Sequence, residues 1–254
     1  LKEHKFPHSL GMFYGTMTEF CGFESEKDEW KLMGASAYGN SDVYYNELRN
    51  LITINDGNLE LDLNYFNFYN FDSKGTYNEK LIMLLDGDCN YNENTQKLYD
   101  LAAATQKVYE DVSVELLNWL SYQSDGIENI CLGGGTAMNG LFNGKVTTLT
   151  NFNNCFVPFA PDDMGNSIGT VLYNNKLKLP FLESYQGNEY TSENIKDTLN
   201  KFKINYRFYE REELNKIVAE EIYKGKIIGW FQGKMEFGQR ALGNRSILAN
   251  HCLD

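Results

Sequence analysis

Ile127-Glu128-Asn129-Ile130-Cys131-Leu132 runs into Gly133-Gly134-Gly135 and then Thr136-Ala137-Met138-Asn139, and this passage decides the fold class. A short apolar run before a glycine turn reads as a buried strand handing over to a helix, expected here through about Gly144. Upstream, Leu98, Leu101, Thr105, Val108, Val112, Leu116 and Trp119 recur at three- and four-residue steps, predicting one amphipathic helix over 94–120. Downstream, 155–157 reads as a strand, Pro158 and Pro161 break it, and a helix is expected over 165–177 until Pro180 ends the unit. Strand, glycine turn and helix in alternation predict an α/β layer architecture.

After Pro180 the pattern restarts. Thr191 or Ser192 caps a helix to about Lys201, 204–209 reads as a strand, and 212–224 as a helix closed by Gly225. A strand over 227–231 follows. The domain boundary is therefore placed near 180–190, giving a first domain over 1–182 and a second over 183–254. Residues 40–92, rich in Asn, Asp and Tyr, read as an insertion of loops and short elements.

The 254 residues carry a net charge of −12, with 42% hydrophobic and 14% aromatic residues. That composition suits a folded globular protein and excludes disorder. A sequence pI near 4.8 opposes general nucleic-acid binding, which needs clustered cations. The longest aliphatic-or-methionine run, 81–85, is too short to span a membrane. Five widely spaced cysteines without a C-x-x-C pair fit reduced thiols in a cytoplasmic protein. Leu1 in place of Met, and a stop soon after Asn250, lead us to expect a piece of a longer chain.

Against the acidic background, residues 233–249 carry Lys234, Arg240 and Arg245 against Glu236 alone. Glycines let backbone approach a ligand closely, and arginine forks match phosphate or carboxylate oxygens, so the segment reads as an anion site. The competing reading is a solvated loop with scattered cations. The Gly133–135 turn likewise offers N–H groups to an anion, or else serves tight packing. Asp162 and Asp163 stand just before a helix and read either as caps or as hard oxygen ligands for a metal. Glu29 and Lys31 place an acceptor and a donor on the way to Gly34 and Gly39; a surface ion pair is the plain alternative. His4 and His8 have the spacing of a helical metal pair, but Pro7 between them opposes a helix, so they are rejected as ligands. No Ser-His-Asp or Cys-His nucleophile is detectable from spacing.

Gly233-Lys234-Met235-Glu236-Phe237-Gly238-Gln239-Arg240-Ala241-Leu242-Gly243-Asn244-Arg245-Ser246 resembles the signature G-x-M-E-F-G-P-R-A-L-G-N-R-S of the O-carbamoyltransferases of nodulation and antibiotic tailoring, with Gln239 in the proline position. Four further blocks occur in that family's order, so the resemblance covers about residues 5–250. Pro7 to Tyr14 matches P-x-S-L-G-x-F-Y. Asp28 to Gly39 is similar to G-E-x-K-x-M-G-L-A-P-Y-G, with Asp28 in place of the first glycine and Ala35, Ser36 and Ala37 in place of L-A-P. Gly134 to Asn139 resembles G-G-V-A-L-N, which the family shares with tRNA threonylcarbamoyl transferases. Within Pro158 to Gly169, Asp163, Gly165 and Gly169 keep the D-x-G-x-x-x-G spacing of the family's P-x-x-x-D-x-G-x-x-x-G. A helix both families share contains Ala102 to Gln106 and Glu110; its apolar stripe reads as core packing.

The resemblance implies an actin/sugar-kinase-like (ribonuclease H-like) first domain, truncated at its N-terminus, and a twisted α/β second domain, truncated at its C-terminus. It implies ATP and carbamoyl phosphate as substrates, carbamoyl-adenylate as intermediate and a hydroxyl-bearing small molecule as acceptor. Lys234, Arg240, Arg245 and Ser246 would serve catalysis in the second domain. Glu29, Lys31, Gly134, Gly135 and Asn139 would line the nucleotide, and Asp163 would bind a divalent metal, iron or else magnesium. The family's H-x-x-x-H metal motif is expected upstream of Leu1, so the piece alone is expected to be inactive. A tRNA threonylcarbamoyl transferase-like enzyme and a non-catalytic nucleotide-binding protein of the same fold are the rivals. The resemblance implies no nucleic-acid or membrane partner and leaves the acceptor and the oligomeric state open.

Overall fold

The computed structural model describes residues 2–89, 95–178 and 183–252, which fall into two compact units, 1–158 and 159–254. The division falls at Pro158, where the sequence reading places only a break after a strand, its domain boundary standing near 180–190. Pro180, residue 94 and the junction after residue 182 lie outside the described residues.

In the first unit the element order is α1 (Leu10–Phe20), α2 (Glu29–Ala35), α3 (Tyr45–Arg49), β1 (Ile52–Asn55), β2 (Asn58–Leu61), α4 (Glu79–Leu84), α5 (Thr95–Gln123), β3 (Asn129–Cys131), α6 (Gly140–Asn143), α7 (Val146–Leu149) and β4 (Asn154–Phe156). The expected amphipathic helix is α5, and its stripe of Leu98, Leu101, Val108 and Val112 is fully buried with Phe13, Met17 and Phe20 of α1. The strand before the glycine turn is β3; it pairs in parallel with β4, Ile130 opposite Cys155. That pair and its helical crossover carry the α/β character.

The single helix expected after Gly135 does not form. Gly134 has φ +92°, a 3₁₀ turn spans Gly135–Met138, and Asn139 (φ −73°, ψ 91°) leaves the helical region before α6 begins. Asn139 then accepts the Phe142 N–H through its side chain at 3.0 Å, starting α6 afresh.

Within 40–92, β1 and β2 form an antiparallel hairpin whose tip, Asp56 (φ 47°) and Gly57 (φ 70°), is a type I′ turn. A Cβ on Gly57 would lie 2.3 Å from the Trp119 ring, and Trp119 Nε1 donates to Asp56 at 3.1 Å, locking the hairpin onto α5. His4 Nε2 lies 2.8 Å from the Gly57 carbonyl, and His8 Nδ1 accepts the Leu61 N–H at 3.0 Å. Both imidazoles therefore bond the hairpin backbone.

The second unit contains α8 (Gly165–Asn174), α9 (Ser192–Lys201), α10 (Arg211–Tyr223), β5 (Ile228–Phe231) and β6 (Arg245–Leu248). Thr191 caps α9 in a reciprocal capping box with Asn194, and Gly225 (φ 84°) follows the C-cap of α10. The strand expected over 204–209 is absent. Ile204, Tyr206 and Phe208 are exposed, and β5 pairs with β6 instead, so no neighbouring strand among the described residues satisfies that segment.

Candidate functional site

The second unit places its cationic loop between β5 and β6. Phe231 lies opposite Arg245 and Trp230 opposite Ser246, and Gln232 N–H bonds the Asn244 carbonyl at 2.7 Å. The loop needs glycine at three positions of positive φ: Gly233 (61°), Gly238 (133°) and Gly243 (110°). A Cβ at Gly238 would also meet the Phe159 carbonyl at 3.0 Å.

Inside the loop sits Glu236, its side chain wholly buried. One oxygen, Oε1, accepts the backbone N–H groups of Leu242 (2.9 Å), Asn244 (2.7 Å) and Arg245 (3.1 Å). The other, Oε2, faces Arg245 Nε at 3.3 Å. Burial alone would raise this carboxyl, but the converging backbone N–H groups outweigh it and hold Glu236 down at about 2. Arg245 Nη2 donates to the Gly238 carbonyl at 3.0 Å, so the guanidinium is fixed at two points.

Arg245, Ser246, Gln239 and Ala241 line an open cleft of about 570 Å³ with Gly229, Trp230, Phe231 and Ile247. Lys234 and Arg240 are exposed on the same loop and are not among these lining residues. Three backbone N–H groups of the loop are spent on Glu236, so the donors lining the cleft are side chains: Arg245's fork, Ser246's hydroxyl and Gln239's amide.

The segment 159–163 packs under this loop. Phe159 and Phe237 meet edge to face at 6.2 Å, and Gln239 Nε2 donates to Asp162 Oδ2. Asp162 Oδ1 is buried without a partner, while Asp163 is exposed. Helix α8 has no side-chain cap, so neither aspartate caps it. No group of three or more His, Cys, Asp or Glu able to hold a metal occurs among the described residues. Asp163 thus offers a single carboxylate, which is not a metal site by itself.

In the first unit, a Cβ on Gly134 or Gly135 would meet no atom within 4 Å. Packing does not require these glycines. Gly134 is set by its positive φ, and both leave open space of the kind a ligand's edge could fill. Asn139 behind them is turned inward. Its amide pairs with Gln106 of α5 at 2.9 and 3.1 Å, and Gln106 also bonds the Tyr14 hydroxyl (2.9 Å) and Glu110 (2.9 Å). Lys145 closes the network with two contacts to Glu110, at 2.7 and 2.8 Å. Burial pushes Tyr109 up to about 12, and its hydroxyl donates to the Thr136 carbonyl at 3.1 Å. This network fixes the floor under the glycine turn.

Glu29 opens α2, and its carboxylate accepts the Glu26 N–H at 2.5 Å. Lys31 pairs with Asp28 at 2.9 Å, holding that carboxyl below its usual range, so the plain alternative of a Glu29–Lys31 pair does not form. No hydrogen bond or ion pair among the described residues joins Glu29 or Lys31 to Gly134–Asn139. The helix turn ends at Gly39, where a Cβ would lie 1.9 Å from the Tyr99 carbonyl of α5. That glycine is a packing requirement.

Sequence reasoning gave no role to Glu236, Gln106, Glu110 or Lys145. Gln106 and Glu110, polar residues four apart on a face otherwise apolar, were read as part of a core-packing helix. Glu236 stood out only as the one acid among the loop's cations.

Strand-and-helix units bearing a glycine turn and a glycine-rich cationic loop over a carboxylate define an α/β protein. The chain belongs to the carbamoyltransferase family: the model described as Carbamoyltransferase N-terminus matches residues 2–172, and that described as Carbamoyltransferase C-terminus matches 219–253. An uncharacterized protein of Synechocystis sp. is 36% identical over 263 residues, covering 98% of this chain and 42% of the relative. Nodulation protein NolO of Bradyrhizobium diazoefficiens is 29% identical, covering 96% of this chain and 43% of NolO. The 3'-hydroxymethylcephem-O-carbamoyltransferase of Streptomyces clavuligerus is 28% identical over 123 residues, 46% of this chain and 22% of that enzyme. The chain therefore spans less than half the length of these relatives.

Proposed function

We propose that the protein is an ATP-dependent O-carbamoyltransferase, moving the carbamoyl group of carbamoyl phosphate through carbamoyl-adenylate to a hydroxyl of a small molecule. The observation that carries this reading is the loop 233–246, which keeps the family signature and presents Arg245 and Ser246 at an open cleft. The named relatives that are carbamoyltransferases of a cephem hydroxymethyl group support the acceptor class.

In this reading Lys234, Arg240, Arg245 and Ser246 surround phosphate oxygens while water cleaves carbamoyl phosphate to carbamate and inorganic phosphate. A carbamate oxygen then attacks the α-phosphorus of ATP, forming carbamoyl-adenylate and releasing pyrophosphate. Cations that neutralise developing phosphate charge need move no proton. Gly134 and Gly135 would line ATP's adenosine, with Asn139 shaping the turn from beneath, and Glu29 and Lys31 would lie near the nucleotide. The architecture we propose is an actin/sugar-kinase-like first domain, 1–182, and a twisted α/β second domain, 183–254. Asp163 would supply one ligand to a divalent metal, iron or magnesium, and the other ligands would have to come from outside the described residues. A cytoplasmic setting fits cysteines that are all free in the structure.

The test is the full-length protein with ATP and carbamoyl phosphate. Pyrophosphate release that requires carbamoyl phosphate is the expected result. Nucleotide binding without pyrophosphate release would instead favour a non-catalytic binding protein.

A further inference from the structure

We propose that Glu236 is a positioning residue for the cationic cleft, acting through Arg245 and not by touching substrate. The inference rests on the reading of that loop as the site of carbamoyl-adenylate formation. Among the described residues of the second unit only Ala160, Glu236 and Gly238 are buried, so the one carboxylate removed from water sits beneath the loop. A buried carboxylate is costly unless its lone pairs are met. Oε1 is met three times over by backbone N–H groups.

An amide oxygen would serve that side as well as a carboxylate. Charge matters on the other side. Oε2 accepts no hydrogen bond from any group within reach except the ion-pair contact with Arg245 Nε at 3.3 Å. A glutamine there would set an NH₂ donor against the guanidinium's own donor. Arg245 would then lose one of its two fixed points, keeping only Gly238's carbonyl. The guanidinium is 37% exposed and lines the cleft, so its inner edge is held by Glu236 while its remaining surface faces the ligand space. Preorganised charge is worth more than mobile charge at a reacting phosphate.

The test uses the full-length protein and the variants Glu236→Gln, Arg245→Gln, the double variant and Arg245→Lys. Glu236→Gln should raise the KM for carbamoyl phosphate at least tenfold and lower kcat with it, because Arg245 is held against charge that develops at the phosphate. Arg245→Gln should do the same, and the double variant should be no worse than the more damaged single within threefold. A folded Glu236→Gln protein with wild-type kinetics and only a lowered Tm would overturn the proposal, as would fully additive effects. If Glu236→Gln does not fold, Arg245→Lys keeps the charge but loses both fixed points, and a wild-type KM in it would be equally fatal. Should the wild-type protein release no pyrophosphate, the functional reading fails separately. The same cycle is then read by calorimetric binding of inorganic pyrophosphate, where non-additive loss supports the positioning role and additive loss, or no wild-type binding, overturns it.

Discussion

Gly135 and Asp163 separate ligand chemistry from local structure, each in its own way. Gly135 has no positive φ and open space where a Cβ would go, so Gly135→Val should leave the Tm unchanged. In the full-length protein it should still weaken ATP binding tenfold or more, about 1.4 kcal/mol, by calorimetry. Unchanged affinity would remove the turn from the nucleotide site. Asp163 is exposed and caps nothing, so Asp163→Ala should cost within about 0.5 kcal/mol of stability while lowering bound metal. Metal content equal to wild type would end its assignment as a ligand. Glu236 adds a pH signature. Its folded-state carboxyl lies at about 2, below the ordinary value, so its stabilising effect is complete above about pH 4.3 and is lost as pH falls towards 2. Urea midpoints of the wild type should fall through that window more steeply than those of Glu236→Gln; parallel curves would show that the carboxylate is not held ionised.

Helix α5 packs against α1, α2 and α3 and carries the polar network beneath the glycine turn. Gln106 makes four hydrogen bonds in that network to three buried partners, Tyr14, Glu110 and Asn139. Gln106→Leu leaves the Tyr14 hydroxyl and the Asn139 amide N–H without that partner, while Glu110 keeps Lys145, and should cost roughly 1–3 kcal/mol, with ATP binding weakened because Asn139 loses its anchor. A Tm within a degree of wild type would show that the network rearranges at no cost. The α2 turn meets α5 at Gly39, where even alanine drives a Cβ into the Tyr99 carbonyl at 1.9 Å. Backbone cannot yield as a side chain does, so Gly39→Ala should destabilise by roughly 1–3 kcal/mol or prevent folding. At this scale much was legible in advance. The α5 stripe, the β3 strand, the Thr191 cap and the Gly225 terminus all follow from local spacing. The Asp56-Gly57 turn between Ile52-Thr53-Ile54 and Leu59-Glu60-Leu61 was equally legible, but the Asn- and Asp-rich composition around it concealed the hairpin.

Across the whole molecule the net charge is −12, and loop 233–249 is a local exception with three cations against one acid, which should keep polyanions away. A gel-shift titration at 0.15 M salt should show no retardation of tRNA by micromolar protein, and retardation in that range would revive a tRNA substrate. The sequence by itself determined the α/β class, the order of most elements, the family and the loop that carries its signature. Those properties depend on local propensity, periodicity and residue identity, all written along the chain. Only the tertiary structure decided where side chains spend their hydrogen bonds. It turned Asn139 inward onto Gln106, gave Lys31 to Asp28, and drew 159–163 beneath the cationic loop through Phe159 and Phe237. It also denied 204–209 a strand partner and sank Glu236 behind Arg245. Each outcome joins residues distant in sequence or competing for one partner, and the choice among such partners is made by packing and desolvation, which spacing along a chain does not encode.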